Sequence, residues 1–488
     1  MIRIEAKEER YLYNAYHMIK AFFPSEEVEQ TCVEEMDAGL RLTDAEGKQY
    51  VFAADHDGTD GGRQQLDREL YQCLSTMTGK ELAWGMLTGV RPAKLATRAV
   101  EYDVAKDTFV EQFREEYLVS QEKAELAYDI AVREREVLSG LDYQDGYSLY
   151  VGIPFCPSVC SYCSFSSGPV DKWKDQIPAY LDALCKELEY IGKVSAEKKL
   201  NTIYIGGGTP TSLEADQLDQ LLSSIDQSFS REHLLEYTVE AGRPDSITEE
   251  KLRVIKGHGV TRISVNPQTM QQKTLDRIGR KHSVQAVKDT YHLARELGFD
   301  NINMDLIAGL PGEGPEEMQD TLAQIRELAP DSLTVHSLAI KRAAQMGQEK
   351  STLGYVRDLK AQTDHPEQMY QNLSAMINLA YDAADEMDLK PYYLYRQKNI
   401  AGNFENVGYA KVDKAGIYNI LIMEEKQSII AAGAGASTKI VLKDPIPMPG
   451  SKKKKMTRLI RQENVKAVDA YISRIDEMIE RKGEWLWH

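Results

Sequence analysis

Apolar and polar residues in the middle of the chain follow two patterns, one typical of strands and the other of amphipathic helices. Short runs rich in β-branched and aromatic residues predict six strands, at 148–152, 202–207, 236–241, 262–266, 302–309 and 332–338. The segments between them predict helices, at 177–191, 215–228, 249–258, 284–297 and 315–328. Strands that alternate with helices are typical of a parallel sheet with crossover helices. The middle of the chain is therefore predicted to form a barrel or an open partial barrel.

The segments on either side of this region have different patterns. The opening MIRIEA predicts a strand, and the alternation on both sides of Asp-Ala-Glu-Gly at 44–47 predicts a hairpin. Helical patterns follow near 63–77 and from 107 to 138, so the first part is predicted to be a small α+β domain. The last part is predicted to be mostly helical, with helices at 366–387 and 466–481.

Composition narrows the classes of function. The 488-residue chain carries a formal charge of −17, whereas a nucleic-acid surface usually needs a basic patch. The start of the chain contains acidic residues and lacks an apolar run before a small-residue cleavage site, and no apolar stretch is long enough to span a bilayer. We therefore expect a cytoplasmic protein with no nucleic-acid partner and no membrane partner, in a compartment where thiols stay reduced.

Candidate functional residues occur where the predicted strands end. In barrels of parallel strands, active sites lie at the carboxyl ends of the strands. Along the first five predicted strands the candidates are Cys156, the run Gly206-Gly207-Gly208-Thr209-Pro210, Glu240, the pair Asn266 and Gln268, and Asp305. We therefore expect a single site at this end of the barrel.

Three cysteines lie close together in the stretch YVGIPFCPSVCSYCSF, at 150–165. Cys156, Cys160 and Cys163 have the spacing Cys-x3-Cys-x2-Cys, and thiolates are soft ligands that suit zinc and iron–sulfur clusters. A cubane cluster is usually held by four cysteines, so three would leave one iron open to a small molecule. A zinc site would instead need a fourth ligand, such as a histidine from elsewhere in the chain.

The cysteine loop and the later GGGTP run together resemble the radical S-adenosylmethionine (SAM) superfamily. The stretches LYVGIPFC, IYIGGGTPTSL, GVTRISVNPQT, RIGRKHS and NMDLIAGLPGE resemble the oxygen-independent coproporphyrinogen III oxidases and their haem-chaperone relatives. WGMLTGVRPAK and YLYRQKNIAGNFENVGYA resemble the HemZ-type branch. The resemblance implies an α/β fold, with a partial (β/α)6 radical SAM barrel at 147–345. It also implies an N-terminal α+β domain at 1–140 and a C-terminal, mainly helical domain at 346–488 that lines a substrate cavity.

The resemblance implies that Cys156, Cys160 and Cys163 hold a [4Fe–4S] cluster whose open iron binds SAM. One electron passed into the sulfonium would give methionine and a 5′-deoxyadenosyl radical. Tyr150, expected beside the sulfonium, is the candidate catalytic residue, and the loop 433–437 is expected to line the cavity. The expected cofactor contacts, some of them to a second SAM, are Tyr150, Tyr162, Phe165, Gly206, Gly207, Gly208, Thr209, Glu240, Gln268, Arg280, Asp305 and Ala339.

The implied activity is the oxidative decarboxylation of coproporphyrinogen III to protoporphyrinogen IX in haem biosynthesis. The radical would take a hydrogen from the β-carbon of a propionate, and loss of carbon dioxide and one electron would leave a vinyl group. Anionic propionates need cationic partners, and the expected ones are Arg262, Arg342, Arg396 and Lys398. An electron donor such as flavodoxin or ferredoxin is the expected protein partner.

Two departures from the best-known oxidases leave the reaction open. Those enzymes have a histidine two residues after the tyrosine, where this chain has Gly152. They also have a fourth cysteine two residues after the third, where this chain has Phe165. A proton-donating or radical-tuning role of that histidine therefore has no occupant here. A haem chaperone of the same family, or another radical SAM reaction on a tetrapyrrole, remains an alternative.

Overall fold

The computed structural model describes most of the chain. The described residues are 1–24, 26–36, 39–53, 60–89, 91–165, 167–339, 344, 346, 366–396, 404–449 and 456–487. Two residues expected to bind substrate, Arg342 and Lys398, lie outside the described residues. Within the described part, none of the helices combines the length and the apolar character that crossing a bilayer requires.

The first elements form a small sheet covered by helices. They are β1 (Ile2–Ala6), α1 (Glu9–Phe22), β2 (Val28–Cys32), β3 (Leu40–Thr43), β4 (Gln49–Phe52) and α2 (Asp60–Thr78). The strand order is β2-β1-β3-β4, and β3 and β4 form the predicted hairpin. The Asp44 carboxylate stabilises the turn because it accepts the backbone N–H groups of Glu46 and Lys48. A separate apolar core, which includes Ile4 and Leu70, lies inside this unit.

Three helices connect the small sheet to the barrel. They are α3 (Ala93–Glu101), α4 (Lys106–Tyr117) and α5 (Gln121–Leu138). The helical pattern from 107 to 138 is divided into two helices because Leu118 adopts a left-handed backbone with φ of 58°. Ser120 then caps α5, since its side chain accepts the N–H of Lys123. Buried residues of these helices, such as Ile130, belong to the same core as the barrel strands, and the domain boundary near residue 140 stays a prediction.

The middle of the chain alternates between strands and helices, as the sequence predicted. The elements are β5 (Gly146–Ile153), β6 (Phe155–Cys156), β7 (Gly168–Pro169), α6 (Ile177–Val194), β8 (Lys199–Gly207), α7 (Ala215–Ser228), β9 (Glu236–Gly242), α8 (Glu249–Gly257), β10 (Arg262–Val265), α9 (Gln272–Arg277), α10 (Val284–Glu296), β11 (Ile302–Ala308), α11 (Pro315–Leu328) and β12 (Ser332–Ser337). The six predicted strands are β5 and β8 to β12, and the five predicted helices are α6, α7, α8, α10 and α11.

The last part of the chain contains both helices and strands. The elements are α12 (Pro366–Glu386), β13 (Lys390–Arg396), β14 (Glu405–Ala410), α13 (Ile417–Glu424), β15 (Ser428–Ala432), β16 (Ser437–Pro447), β17 (Met456–Glu463), α14 (Val468–Ser473) and α15 (Ile475–Gly483). The helices agree with the prediction of a mostly helical last part, whereas the strands were not predicted from the sequence. The expected terminal helix is divided into α14 and α15.

One mixed sheet joins the barrel region to the last part of the chain. Its order is β13-β14-β12-β11-β10-β9-β8-β5-β15-β16-β17. The strands from β12 to β15 in this order are parallel, and two antiparallel strands extend the sheet at each edge. This topology confirms the predicted α/β fold built on a parallel sheet.

The two faces of the parallel strands differ in polarity. Alternate residues on one face pack against the helices in the main core, as in Leu149, Val151, Ile203, Ile205, Val239, Ile263, Met304, Leu306, Leu333 and Val335. Their neighbours on the other face are tyrosines and polar or charged side chains, as in Tyr150, Tyr204, Thr238, Glu240, Arg262, Asn303, Asp305, Thr334 and His336. Barrels are usually filled by branched apolar side chains, so this polar interior is suited to binding a polar ligand.

Helix α13 inserts a side chain into this interior. Its first backbone N–H groups, those of Ile417 and Tyr418, donate to the Glu236 carboxylate at the start of β9. A carboxylate at a helix N-terminus is stabilising because it satisfies free N–H groups and faces the positive end of the helix dipole. The Tyr418 ring then stacks on Tyr204 of β8, with ring centroids 4.4 Å apart.

Candidate active site

The cysteine loop follows β5 and lies against the carboxyl end of β8. Gly208 N–H donates to the carbonyl of Ile153, and Thr209 N–H donates to the carbonyl of Phe155, both at 2.7 Å. The Thr209 hydroxyl lies 3.5 Å from Cys156 Sγ. The glycine-rich strand end and the first cysteine therefore share one edge of the sheet.

Close packing of backbone on backbone explains why glycine follows β8. A Cβ added to Gly208 would lie 2.5 Å from the carbonyl oxygen of Phe155, a distance that real Cβ atoms do not adopt. Gly207 has φ of 107°, in the region that side chains disfavour. These glycines let β8 approach the loop that carries the cysteines. The expected contact of the same glycines with the methionine part of SAM stays a prediction.

Arg243, which the sequence analysis did not single out, joins the cysteine loop to the end of β9. Its Nη1 donates to the carbonyl and hydroxyl oxygens of Ser158, at 2.8 and 2.9 Å, and lies 3.7 Å from Cys160 Sγ. Asp245 accepts two hydrogen bonds from the other side of the guanidinium, at 2.9 and 2.7 Å. Such a paired guanidinium is fixed in direction. It therefore positions the loop and places a positive charge beside the second cysteine.

Arg280 and Tyr162, both expected as SAM contacts, lie beside the same cysteine. The Arg280 guanidinium is buried and donates to the carbonyl of Asn266. Burial lowers the pKa of Arg280, but the neighbouring Tyr162 and Cys160 outweigh burial and raise it. Tyr162 also packs against an apolar group that includes Ile307 at the end of β11. The structure thus brings β10, β11 and the cysteine loop together.

The donor set of the loop fits an iron–sulfur cluster. Burial raises the pKa of the Cys156 and Cys163 thiols, so metal binding at these sulfurs must release protons. Within the described residues, no three histidine, cysteine, aspartate or glutamate side chains are placed to hold a single metal ion. Three thiols on one loop form a uniform set of soft ligands, which is the chemistry that iron–sulfur clusters use.

Three tyrosine rings and a carboxyl group lie together in the interior. The Tyr150 ring lies 6.4 Å from Tyr204 and 6.3 Å from Tyr418, in nearly parallel planes. The Tyr204 hydroxyl donates to Glu240, which also accepts the N–H of Gly207. Burial raises the pKa of Glu240 to about 7, and this effect exceeds the lowering by its hydrogen bonds. Glu240 is therefore close enough to the glycine-rich turn to contact the same ligand.

The carboxyl ends of β10 and β11 are tied together by Gln268. Gln268 N–H donates to the carbonyl of Asp305, and Ile307 N–H donates to the carbonyl of Gln268, both at 2.9 Å. Gln268 has φ of 67°, a left-handed conformation that is uncommon for residues other than glycine. Such conformations persist where surrounding contacts hold them, often at functional sites.

Asp305 faces the interior from β11. Its carboxylate accepts a hydrogen bond from the Asn303 amide, at 2.7 Å, and lies 3.9 Å from His336 Nε2. Burial raises the pKa of Asp305, but His336, Asn303 and Arg262 outweigh burial and hold the pKa below its ordinary value. Asp305 is therefore a carboxylate at neutral pH, and the sequence analysis missed its partner His336.

Of the residues expected to bind substrate, Arg262 and Arg396 lie in the described part of the chain, and they lie on different faces of the sheet. Arg262 faces the interior, where its Nη2 donates to the Ser332 hydroxyl at 3.2 Å. Arg396 is 2% exposed and lies on the opposite face of the sheet, where it donates to the carbonyl of Leu87 and covers the Trp84 ring. Burial lowers the pKa of Arg396 to about 9. The structure therefore does not bring Arg396 to the interior. The pairing of β13 with β14 decides which face of the sheet its side chain lies on, and the local sequence does not show this pairing.

Three other predicted positions lie at the margin of the site. Phe165 is 74% exposed, so it is accessible to a ligand but not held by protein contacts. Ala339 packs at the edge of the main core just after β12. A Cβ on Gly433 would lie 2.5 Å from the carbonyl oxygen of Gly152, so the loop 433–437 touches the end of β5. A Cβ on Gly152 itself would meet no atom closer than 3.4 Å, so packing does not require glycine there.

Comparison with known proteins identifies relatives of this chain. The model of the radical SAM superfamily matches residues 150–325. The oxygen-independent coproporphyrinogen-III oxidase-like protein HemZ of Bacillus subtilis is 41% identical over 375 residues, which are 76% of this chain and 72% of that protein. The haem chaperone HemW of the same organism is 38% identical over 200 residues, which are 40% of this chain and 51% of the chaperone.

A solved structure has the same fold. Coproporphyrinogen III oxidase HemN from Escherichia coli, a radical SAM enzyme, is similar with a TM-score of 0.52 and 21% identity, over 69% of this chain and 70% of that one. At this identity the likeness supports the fold alone. The match to the radical SAM superfamily and the similarity to HemZ favour the iron–sulfur interpretation of the three cysteines over the zinc alternative.

Proposed function

Because this chain belongs to the radical SAM family of oxygen-independent coproporphyrinogen-III oxidase-like proteins, we propose that it converts propionates of coproporphyrinogen III to vinyl groups. The observation that carries this proposal is the polar interior beside the cysteine loop, where Tyr150, Glu240 and Asp305 face one space. Donors on this face, such as the Tyr150 hydroxyl and the Arg262 guanidinium, can bond anionic propionates, whereas a barrel filled with apolar side chains would exclude them. The relative HemZ, matched over most of its length, is named for this reaction type.

Members of the radical SAM superfamily bind a [4Fe–4S] cluster and SAM. Bound at this loop, the pair supplies a 5′-deoxyadenosyl radical that takes a hydrogen atom from substrate. We assign Cys156, Cys160 and Cys163 as the cluster ligands. Tyr150 and Glu240, half-buried beside the glycine-rich turn, are proposed to orient SAM and to exclude water from it.

Each propionate gives one hydrogen atom to the radical, which becomes 5′-deoxyadenosine, then loses carbon dioxide and passes one electron to a one-electron acceptor as it becomes a vinyl group. Two propionates react for each product, so two SAM molecules are consumed. Arg262, which faces the interior, is the proposed cationic partner for a propionate that does not react. The electron that starts each cycle is proposed to come from a low-potential carrier such as flavodoxin or ferredoxin.

The test is anaerobic incubation of the reconstituted protein with SAM, a reductant and coproporphyrinogen III. Mass spectrometry should detect products in which propionates have become vinyl groups, together with methionine and 5′-deoxyadenosine. A Cys160→Ala variant, prepared in the same way, should form none of these products. Cleavage of SAM in the complete mixture without any decarboxylated tetrapyrrole would contradict the proposed reaction.

A haem chaperone is the second candidate. It is favoured by the similarity to HemW over 40% of this chain and by Gly152, which stands where the best-known oxidases have a histidine. In the same preparation, tight binding of haem without turnover of coproporphyrinogen would support it. Turnover to vinyl products with weak haem binding would support the decarboxylation instead.

A further inference from the structure

His336 is an inward-facing residue to which the site described above assigns no role. It lies on β12, where Leu333 and Val335 point into the main core and Thr334 points inward to bond Asn303 at 3.2 Å. Because side chains alternate along a strand, His336 shares the inward face with Thr334. The six long parallel strands of the barrel contain no other histidine in their sequences.

His336 is the strand neighbour of a residue that packs with the cysteine loop. Its strand neighbour on β11 is Ile307, which packs in the apolar group that includes Tyr162 of that loop. His336 is therefore at the carboxyl end of the barrel, where substrates of such folds bind. Its side chain is 27% exposed, so part of the imidazole is accessible to a ligand.

Two neighbours hold the imidazole in position. The Tyr395 hydroxyl of β13 lies 3.3 Å from Nδ1, and the two rings are 6.4 Å apart in an edge-to-face arrangement. Asp305 lies 3.9 Å from Nε2, which is within ion-pair range but longer than a hydrogen bond. Nε2 therefore has room to donate its proton to a third group.

The chemistry of this corner suits an aromatic-sized ligand that carries carboxylates. The partly exposed Tyr395 stacks on the buried Tyr393, with ring centroids 6.3 Å apart, so the Tyr395 ring is held in place. The nearby Glu240 and Asp305 are acceptors, and Arg262, the proposed partner of another propionate, lies at the opposite, amino end of β10. His336 is thus a partly exposed nitrogen donor near the carboxyl ends of the strands, and it can donate to an anion.

We propose that His336 binds a propionate of the tetrapyrrole through Nε2–H while the macrocycle lies against Tyr395. This inference rests on the proposed function and adds a residue that sets specificity for carboxylated tetrapyrroles. Asp305 and Tyr395 act as positioning residues, because they fix the direction in which the imidazole donates.

The test measures binding of coproporphyrin III, a stable oxidised form of the substrate, to the anaerobically reconstituted protein. Fluorescence quenching gives the dissociation constant of wild type, of His336→Phe and of the control His233→Gln, whose side chain is exposed in a loop before β9. A hydrogen bond to a charged group is worth enough to weaken binding at least about tenfold when it is lost. His336→Phe should show this loss, whereas the control should bind as wild type does.

Two further measurements keep the result unambiguous. His336→Asn retains a polar group beside Tyr395 but is smaller and has a shorter reach, so the same loss is expected without the apolar ring that phenylalanine introduces. The tetramethyl ester of coproporphyrin III, which has no carboxylate, should bind wild type and both variants equally. Iron content should be the same in all of these proteins.

The outcomes distinguish this inference from the function on which it rests. If wild type binds coproporphyrin III and both His336 variants bind it equally well, the role of His336 is wrong and the proposed function stands. If wild type does not bind coproporphyrin III at all, the proposed function fails first. A loss that is as large for the ester as for the free acid would also overturn the role of His336, since it would indicate a change of shape.

Discussion

Single residues that are not ligands hold the cysteine loop in place. The three cysteines could be predicted from the sequence because their spacing has a direct chemical reason. Arg243 could not, because an arginine after a strand is usually solvated and its burial depends on how β9 meets the loop. The available signal was its place between Gly242, which has φ of 70°, and Pro244, a turn that directs a side chain back over the strand ends.

Replacement of one cysteine tests the ligand assignment. Cys163→Ala removes one of three sulfur ligands, so we expect loss of the bound iron and sulfide, of the brown colour and of all SAM cleavage. Iron and sulfide analysis after anaerobic reconstitution measures the loss. Cys185→Ala, at a partly buried thiol on α6, is the matched control and should retain a full cluster. A Cys163→Ala protein that kept its cluster would show that the assignment is wrong.

Replacement of Arg243 tests a supporting contact. Arg243→Gln breaks the bonds to Ser158 and Asp245 and removes the charge beside Cys160. Residues that support metal ligands typically change metal affinity by about 10- to 100-fold, so the cluster should be lost to a chelator faster by a factor in this range. Visible absorbance during incubation with a chelator gives the rate. The exposed Arg253→Gln should lose iron at the wild-type rate.

Glu240 gives a prediction for the dependence of stability on pH. Its pKa is raised to about 7, so its contribution to stability is complete below its unfolded pKa near 4.5 and is lost as pH rises through 7. The shift corresponds to about 3 kcal/mol. Without SAM, Glu240→Gln should therefore be more stable than wild type at pH 8 and similar at pH 5.

Thermal unfolding at both pH values checks this prediction for Glu240. The melting temperature of the variant should change less between pH 5 and pH 8 than that of wild type. Glu249→Gln, at an exposed carboxyl group on α8, is the control and should follow wild type. Equal pH dependence of wild type and Glu240→Gln would mean that Glu240 is solvated in solution.

At the scale of elements, the sequence predicted strands and helices correctly where one spacing of apolar and polar residues continues over the whole segment. The strands β5 and β8 to β12 were predictable because each has a buried apolar face against helices. The strands β13 to β17 were missed for physical reasons. In β14 and β15 every residue is buried, so no alternation marks them, and β16 and β17 are separated by the basic run at 450–455. Strands at sheet edges form because they pair with strands distant in sequence, and the local pattern of apolar and polar residues does not contain this information.

The packing of β8 on the cysteine loop can be tested with one methyl group. In Gly208→Ala the new Cβ would lie 2.5 Å from the Phe155 carbonyl oxygen, so the loop must move away from the strand. We expect the variant to fold but to bind several-fold less iron after reconstitution. Gly257→Ala, where a Cβ meets nothing within 4 Å, is the control and should be as stable as wild type or slightly more so.

At the scale of the whole molecule, a buried ion pair joins the connecting helices to the edge of the barrel sheet. Lys123 of α5 is bonded to Glu405 of β14, and the Trp84 indole N–H donates to the same carboxylate at 2.6 Å. Both charged side chains are nearly inaccessible, with exposures of 10% and 0%. Burial raises the pKa of Glu405, but Lys123 and Trp84 outweigh burial and lower it. The carboxylate therefore stabilises the fold above its unfolded pKa, and this contribution is lost as pH falls through the folded value.

Loss of the Glu405 charge should destabilise the molecule. Glu405→Gln leaves Lys123 buried without a counter-charge, which costs about 3 kcal/mol at neutral pH. Circular dichroism should record unfolding at a temperature several degrees lower, and the difference from wild type should shrink below pH 4.5. Glu136→Gln, in an exposed pair with Arg133, should cost less than about 1 kcal/mol. Unchanged stability of Glu405→Gln would show that this contact does not join the two parts.

Substitutions on the two faces of the barrel strands have different consequences in evolution. An outward residue such as Val151 or Ile263 packs against the helices, and truncating a large residue of this kind leaves a cavity that lowers the free energy of unfolding by about 2–5 kcal/mol. An inward residue such as Thr238 or His336 supports little of that packing. New inward side chains can therefore arise one strand at a time while the scaffold stays folded. Relatives with this architecture are free to diverge in what they accept without first being rebuilt.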